Sequence, residues 1–163
     1  ETVIVGRLYG DTPRSDGDLN VVRNGKSSPI KNFRGVRSLE LTDLNNDGMT
    51  DLLVSEGWHY QYASQGQARI SVYFGPNYTD KRTLAILDDE YTINHIEKHR
   101  DHPWILAQGS TSTYLLTSSS LGWNVIKVTD VKETGRSTFC YDGDDSYILT
   151  SGNPATKVPI HSR

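Results

Sequence analysis

Short apolar runs, each ending in a small residue, recur along the chain: Val3-Ile4-Val5-Gly6, Leu52-Leu53-Val54-Ser55, Trp104-Ile105-Leu106-Ala107 and Tyr147-Ile148-Leu149-Thr150. They lie roughly 50 residues apart, the spacing of an internal structural repeat. Between them the pattern is that of strands. Ala68 to Phe74 alternates apolar and polar positions, Gly75-Pro76 makes a turn, and Arg82 to Leu87 is a further strand. Leu19 to Arg23 and Ile30 to Phe33 follow the first run in the same way, and Thr113 to Thr117 and Trp123 to Val128 follow the third. No window carries a helical stripe; the nearest, Glu90 to Asp101, lacks a continuous apolar face.

Each repeat therefore reads as an inner strand, a loop and three further strands. Four short strands per unit is the pattern of β-propeller blades rather than of a sandwich. The predicted fold is all-β, with four-stranded antiparallel blades at about 1–34 (partial), 36–88, 90–129 and 136–163 (partial). The chain opens at a second strand and finishes just after another. Closed propellers typically have at least four blades, so 1–163 reads as a propeller fragment or one chain of a larger assembly. A strand left open at either edge requires cover.

Composition agrees with strands: 14 Gly and nine Tyr punctuate runs rich in Thr, Val and Ile. The formal net charge of −3 gives no basic face for nucleic acid. No apolar run reaches the roughly 18 residues of a membrane helix, so membrane insertion is not expected. The chain begins without Met and shows no signal-peptide pattern, so its start reads as processed or truncated. The single cysteine, Cys140, excludes an internal disulfide framework and an all-thiolate zinc site, and a structural thiol is its expected role.

The sharpest chemical signal is Asp43-Leu44-Asn45-Asn46-Asp47-Gly48-Met49-Thr50-Asp51. Side-chain oxygens stand at alternate positions 43, 45 and 47 and again at 51. Ca²⁺ takes six to eight oxygen ligands on a flexible frame, and a tight loop of alternating acids supplies them. Gly48 permits a positive φ that turns the chain around the ion, and the Met49 carbonyl is the expected backbone ligand. An EF-hand would need Glu at the twelfth position, which is Val54 inside a strand, and helices on both sides. That reading fails. A plain Asp47-Gly48 hairpin turn accounts for two residues but not for the other oxygens in register.

In these residues the chain resembles the FG-GAP/VCBS repeats of integrin α-type propellers and many secreted microbial proteins. The motif D-x-[DN]-x-D-G-x-x-D-[LIV] is matched at Asp43, Asn45, Asp47, Gly48, Asp51 and Leu52, and Tyr73-Phe74-Gly75-Pro76 is similar to the Phe-Gly element. The resemblance implies Ca²⁺ bound between the first and second strands of a blade. With the fit of such loops to millimolar extracellular calcium, it implies a secreted, extracellular protein.

The other copies carry less. Asp142-Gly143 align with Asp47-Gly48, but Thr138, Cys140 and Ser146 replace the remaining ligands. His95, Glu97, His99 and Asp101 fall at positions 43 to 49 of the third copy. They read either as a softer cation site or, more simply, as the polar face of a strand and loop that lost its ion, replaced by internal hydrogen bonds. Asp11 to Asp18 reads as a solvated connection, with a second cation site as the alternative. Trp58-His59-Tyr60 offers aromatics for a sugar or protein partner, or cover for the cleft between units. Asn77-Tyr78-Thr79 is an N-glycosylation sequon beside a turn. No catalytic set is present: there is no Gly-x-Ser-x-Gly elbow, phosphate loop or His-Glu-x-x-His. The function expected is a non-catalytic calcium-binding module for extracellular protein interaction, adhesion or assembly, its partners a protein or the chains that complete the propeller. The alternative is a carbohydrate-binding propeller attached to a glycan-active enzyme.

Overall fold

The computed structural model describes residues 2–7, 18–31, 35–58, 67–130, 136–151 and 156–160, and every regular element among them is a β-strand. The first sheet holds β1 (Thr2–Arg7), β2 (Asp18–Arg23) and β3 (Lys26–Pro29). The second holds β4 (Val36–Thr42), β5 (Asp51–Glu56), β6 (Ala68–Tyr73) and β7 (Lys81–Leu87). In the third are β8 (Ile93–Lys98), β9 (Trp104–Gly109), β10 (Ser112–Ser119) and β11 (Gly122–Asp130). The fourth contains β12 (Ser137–Asp142), β13 (Asp145–Thr150) and β14 (Thr156–Ile160). Each sheet is an antiparallel meander whose strand order follows the chain.

The four sheets pack face to face in chain order, and the apolar runs show why. Leu52 and Val54 of β5 join Leu19, Val21 and Ile30 of the first sheet in one core cluster. Leu53 points the other way, into a cluster with Ile93, Ile96 and Ile105 of the third sheet. One step further on, Ile105 and Ala107 face the second sheet while Leu106 meets Phe139 and Ile148 of the fourth. A strand covered on both faces is apolar at consecutive positions, not alternate ones. The runs in β5 and β9 are therefore the doubly covered strands at the centre of the stack, whereas Val3 and Val5 of the run in β1 are about half exposed.

A polar joint recurs between sheets as well. Glu40 of β4, paired with Leu53, accepts the Lys98 amide of β8 at 2.6 Å. Glu97 of β8, paired with Leu106, accepts the Phe139 amide of β12 at 3.2 Å and the Thr138 hydroxyl at 2.9 Å. Both glutamates follow a register shift in their strand. The second sheet thus meets the third as the third meets the fourth.

Residues 90–101, which lack a helical stripe, carry the strand β8, and Glu97 is one of these joints. Two expectations are corrected. Of the strand expected at Ile30 to Phe33, Ile30 and Lys31 belong to no strand and 32–33 lie outside the described residues; the strand that follows β2 is Lys26–Pro29, because the Asn24-Gly25 turn (φ 50° and 76°) folds β3 directly back on it. The chain does not stop after a second strand: β14 adds a third, pairing Ile148 with Val158.

Candidate metal centre

Residues 43–50 connect β4 to β5, closed by the Thr42–Asp51 pair. Leu44 is buried in the core between the second and third sheets and anchors the loop. Asn46 and Gly48 take positive φ, 59° and 82°, the region that Asn and Gly enter most readily. These bends let the loop fold over its own acids. Asp43 accepts the Asp47 amide on Oδ1 at 3.1 Å and the Gly48 amide on Oδ2 at 2.9 Å. Asn45 Oδ1 accepts the same Asp47 amide at 3.2 Å, so the two side-chain oxygens share one N–H. Asp47 accepts the Met49 amide at 2.8 Å and the Asn45 side-chain amide at 2.8 Å. Met49 itself is about half exposed, at 48%.

Asp51 differs from the rest. It is fully buried, and its two oxygens accept the Leu44 amide and the Gly75 amide, each at 2.9 Å. One carboxylate therefore ties the start of the loop to the β6–β7 turn. Gly75 is required there, because a Cβ would lie 2.3 Å from the Thr50 carbonyl oxygen. The Asp and Phe-Gly elements of the sequence, 24 residues apart, are two ends of one contact.

Three acids in one loop carry three negative charges, and among the described residues no salt bridge reaches any of them. Nor do three His, Cys, Asp or Glu groups among the described residues converge as a ready-made metal cage; the carboxylates are turned to backbone amides of the loop and, from Asp51, of Gly75. A carboxylate offers about four lone-pair directions, and each amide takes one. The donors are all hard oxygen, with one carboxamide among them, which fits Ca²⁺ in kind.

No protein-family model matches the chain, and no curated protein is significantly similar to it.

The other predicted positions fall elsewhere. His95 and Glu97 lie on β8, so the third copy's loop is only 99–103. Within it the buried His99 accepts the Asp101 and His102 amides on Nδ1 at 3.0 and 3.1 Å. Two N–H groups on Nδ1 require the ring proton on Nε2, which donates to Ser146 Oγ of β13 at 2.8 Å. His102, Trp104, Phe139 and Tyr141 pack around the ring. Burial, then His102, Lys98 and Arg100, hold its pKa below the ordinary value against the opposing pull of Asp101. This is the hydrogen-bonded alternative to a cation, with an imidazole in place of an acid. In the fourth copy Thr138 and Cys140 belong to β12, and Asp142-Gly143 opens a two-residue hairpin turn closed by the Asp142–Asp145 pair. The Cys140 thiol is free and half-buried.

Trp58 is half-buried, its amide donating to the Tyr91 carbonyl at 2.7 Å in the connection to the third sheet. His59 and Tyr60, like most of the 11–18 loop, lie outside the described residues. Asn77 is exposed in the β6–β7 turn. Sequence reasoning missed Glu90, a buried carboxylate that accepts the amides and hydroxyls of Ser110 and Thr111 and the amide of Ser112. The available signal was the Ser-Thr-Ser run, a turn of donors in need of an acceptor.

Proposed function

We propose that Asp43, Asn45, Asp47 and Asp51, with the Met49 carbonyl, hold one Ca²⁺, and that the chain is part of an extracellular propeller of the FG-GAP/VCBS kind, non-catalytic, serving protein interaction or assembly. The observation that carries this reading is the loop's charge: three carboxylates within nine residues, one of them fully buried, with no cationic partner among the described residues. A divalent ion supplies that charge. The chain's own residues do the rest: Leu44 anchors the loop, Asn46 and Gly48 bend it, and Asp51 links it to Gly75.

Consecutive four-stranded meanders stacked face to face support the propeller reading. The uncovered face of the first sheet, where Val3 and Val5 are 46% and 47% exposed, supports assembly with further sheets. Trp58, held at the joint between the second and third sheets, favours packing over a sugar-stacking platform. An ion bound only by the folded state adds about 2.7 kcal/mol at a hundred times its Kd. The melting temperature is accordingly expected to fall on chelation, and to lose its calcium dependence in Asp47→Ala. A wild-type melting curve indifferent to calcium and chelator would remove the reading.

A further inference from the structure

Away from the metal loop, a cavity of about 290 Å³ lies where the β2–β3 hairpin of the first sheet meets the β6–β7 turn of the second. Val21 and Ile30 form its apolar side; Arg23, Lys26, Ser28 and Asn77 supply its polar groups. The register explains the grouping. Arg23 pairs with Lys26 and Val21 with Ser28, so alternate residues of two strands share one face.

One feature of this site is unbalanced. Like charges directly opposite on paired strands are destabilising, yet Arg23 faces Lys26, and among the described residues no carboxylate lines the cavity. The guanidinium is held in place. Its terminal nitrogen donates to the Pro76 carbonyl, and its carbon lies 5.7 Å from the centroid of the Tyr78 ring.

We propose that this cavity binds a small oxyanion, a sulfate or carboxylate group, either free or carried on a single sugar unit. The anion relieves the repulsion between Arg23 and Lys26. Ser28 and Asn77 provide neutral donors on the same rim. The volume suits one such group with at most one small ring attached, at the low end of ligand-site sizes. The inference is independent of calcium.

The test uses the whole chain from a bacterial host, so that Asn77 bears no glycan. Calorimetric titrations compare sodium sulfate with chloride at matched ionic strength, and glucuronate and a sulfated monosaccharide with a neutral sugar. Saturable binding of sulfate or of the acidic sugars is expected, weakened at least tenfold in both Arg23→Gln and Lys26→Gln and unchanged in Lys157→Gln. An acidic sugar at least tenfold tighter than free sulfate assigns the pendant form; equal affinity assigns the free ion. Without ligand, Lys26→Gln is expected to melt higher than wild type. Wild-type binding no stronger than that of chloride or neutral sugar, or affinity unaltered by both substitutions, overturns the proposal.

Discussion

Glu90 and His99 show what single side chains do in this fold. Each is buried in a connection, and each gathers backbone amides of the loop beside it. Unsatisfied buried donors cost about 1–3 kcal/mol each. Glu90→Ala strips the acceptor from three consecutive amides, of which that of Ser112 is buried, and is expected to lower unfolding stability by about 1–3 kcal/mol, read by urea denaturation. His99 predicts a pH dependence. The unfolded chain takes up this proton near pH 6.5, the folded chain only at lower pH. Between those values the unfolded state binds more protons, so stability is undiminished above pH 6.5 and falls as the pH drops through the window. Urea midpoints from pH 7.5 to 5.5 are expected to decline in wild type and to be flatter in His99→Gln; equal slopes would remove the role. His99 was visible in the sequence as one of four alternating polar residues. What that pattern concealed was the end of β8 at Lys98, which places His95 and Glu97 on the strand and His99 in the loop.

At the level of elements, the apolar runs were legible because β5 and β9 are covered on both faces, which leaves consecutive apolar residues as an unmistakable trace. β8 left a weaker trace, the polar face of a strand and loop, because Glu97 sits at a joint between sheets and polar joints have no periodicity to read. β14, Thr156–Ile160, contains Pro159 and two exposed polar residues and gives little strand signal. In the 43–51 loop, the positive φ of Gly48 was legible in the sequence. The bond from the Gly75 amide to Asp51 was not, because it joins elements on different turns. That bond makes a prediction. Gly75→Ala places a Cβ against the Thr50 carbonyl oxygen and pushes the Asp51 acceptor away, so a loss of about 2 kcal/mol or more is expected. Calcium affinity should fall with it. A variant as stable as wild type would show that the turn moves freely.

Among the described residues of the whole molecule, the second and third sheets are the interior of the stack, while the first and fourth each have one neighbouring sheet. The acid-rich loop lies at one end of an interior sheet, where its rigidity bears on both interfaces: Leu44 packs toward the third sheet, and Asp51 opens a strand whose next residue, Leu52, packs toward the first. The net charge of −3 describes the chain as a whole and gave no hint of the Arg23–Lys26 pair, a local excess of the opposite sign. The central claim is that one calcium ion completes the 43–51 loop. Isothermal titration of calcium into chelator-treated protein tests it most directly. One ion per chain is expected in wild type, with Asp43→Asn and Asp47→Asn each weakening it at least tenfold. No saturable heat at millimolar calcium, or the same affinity in both variants, would contradict it.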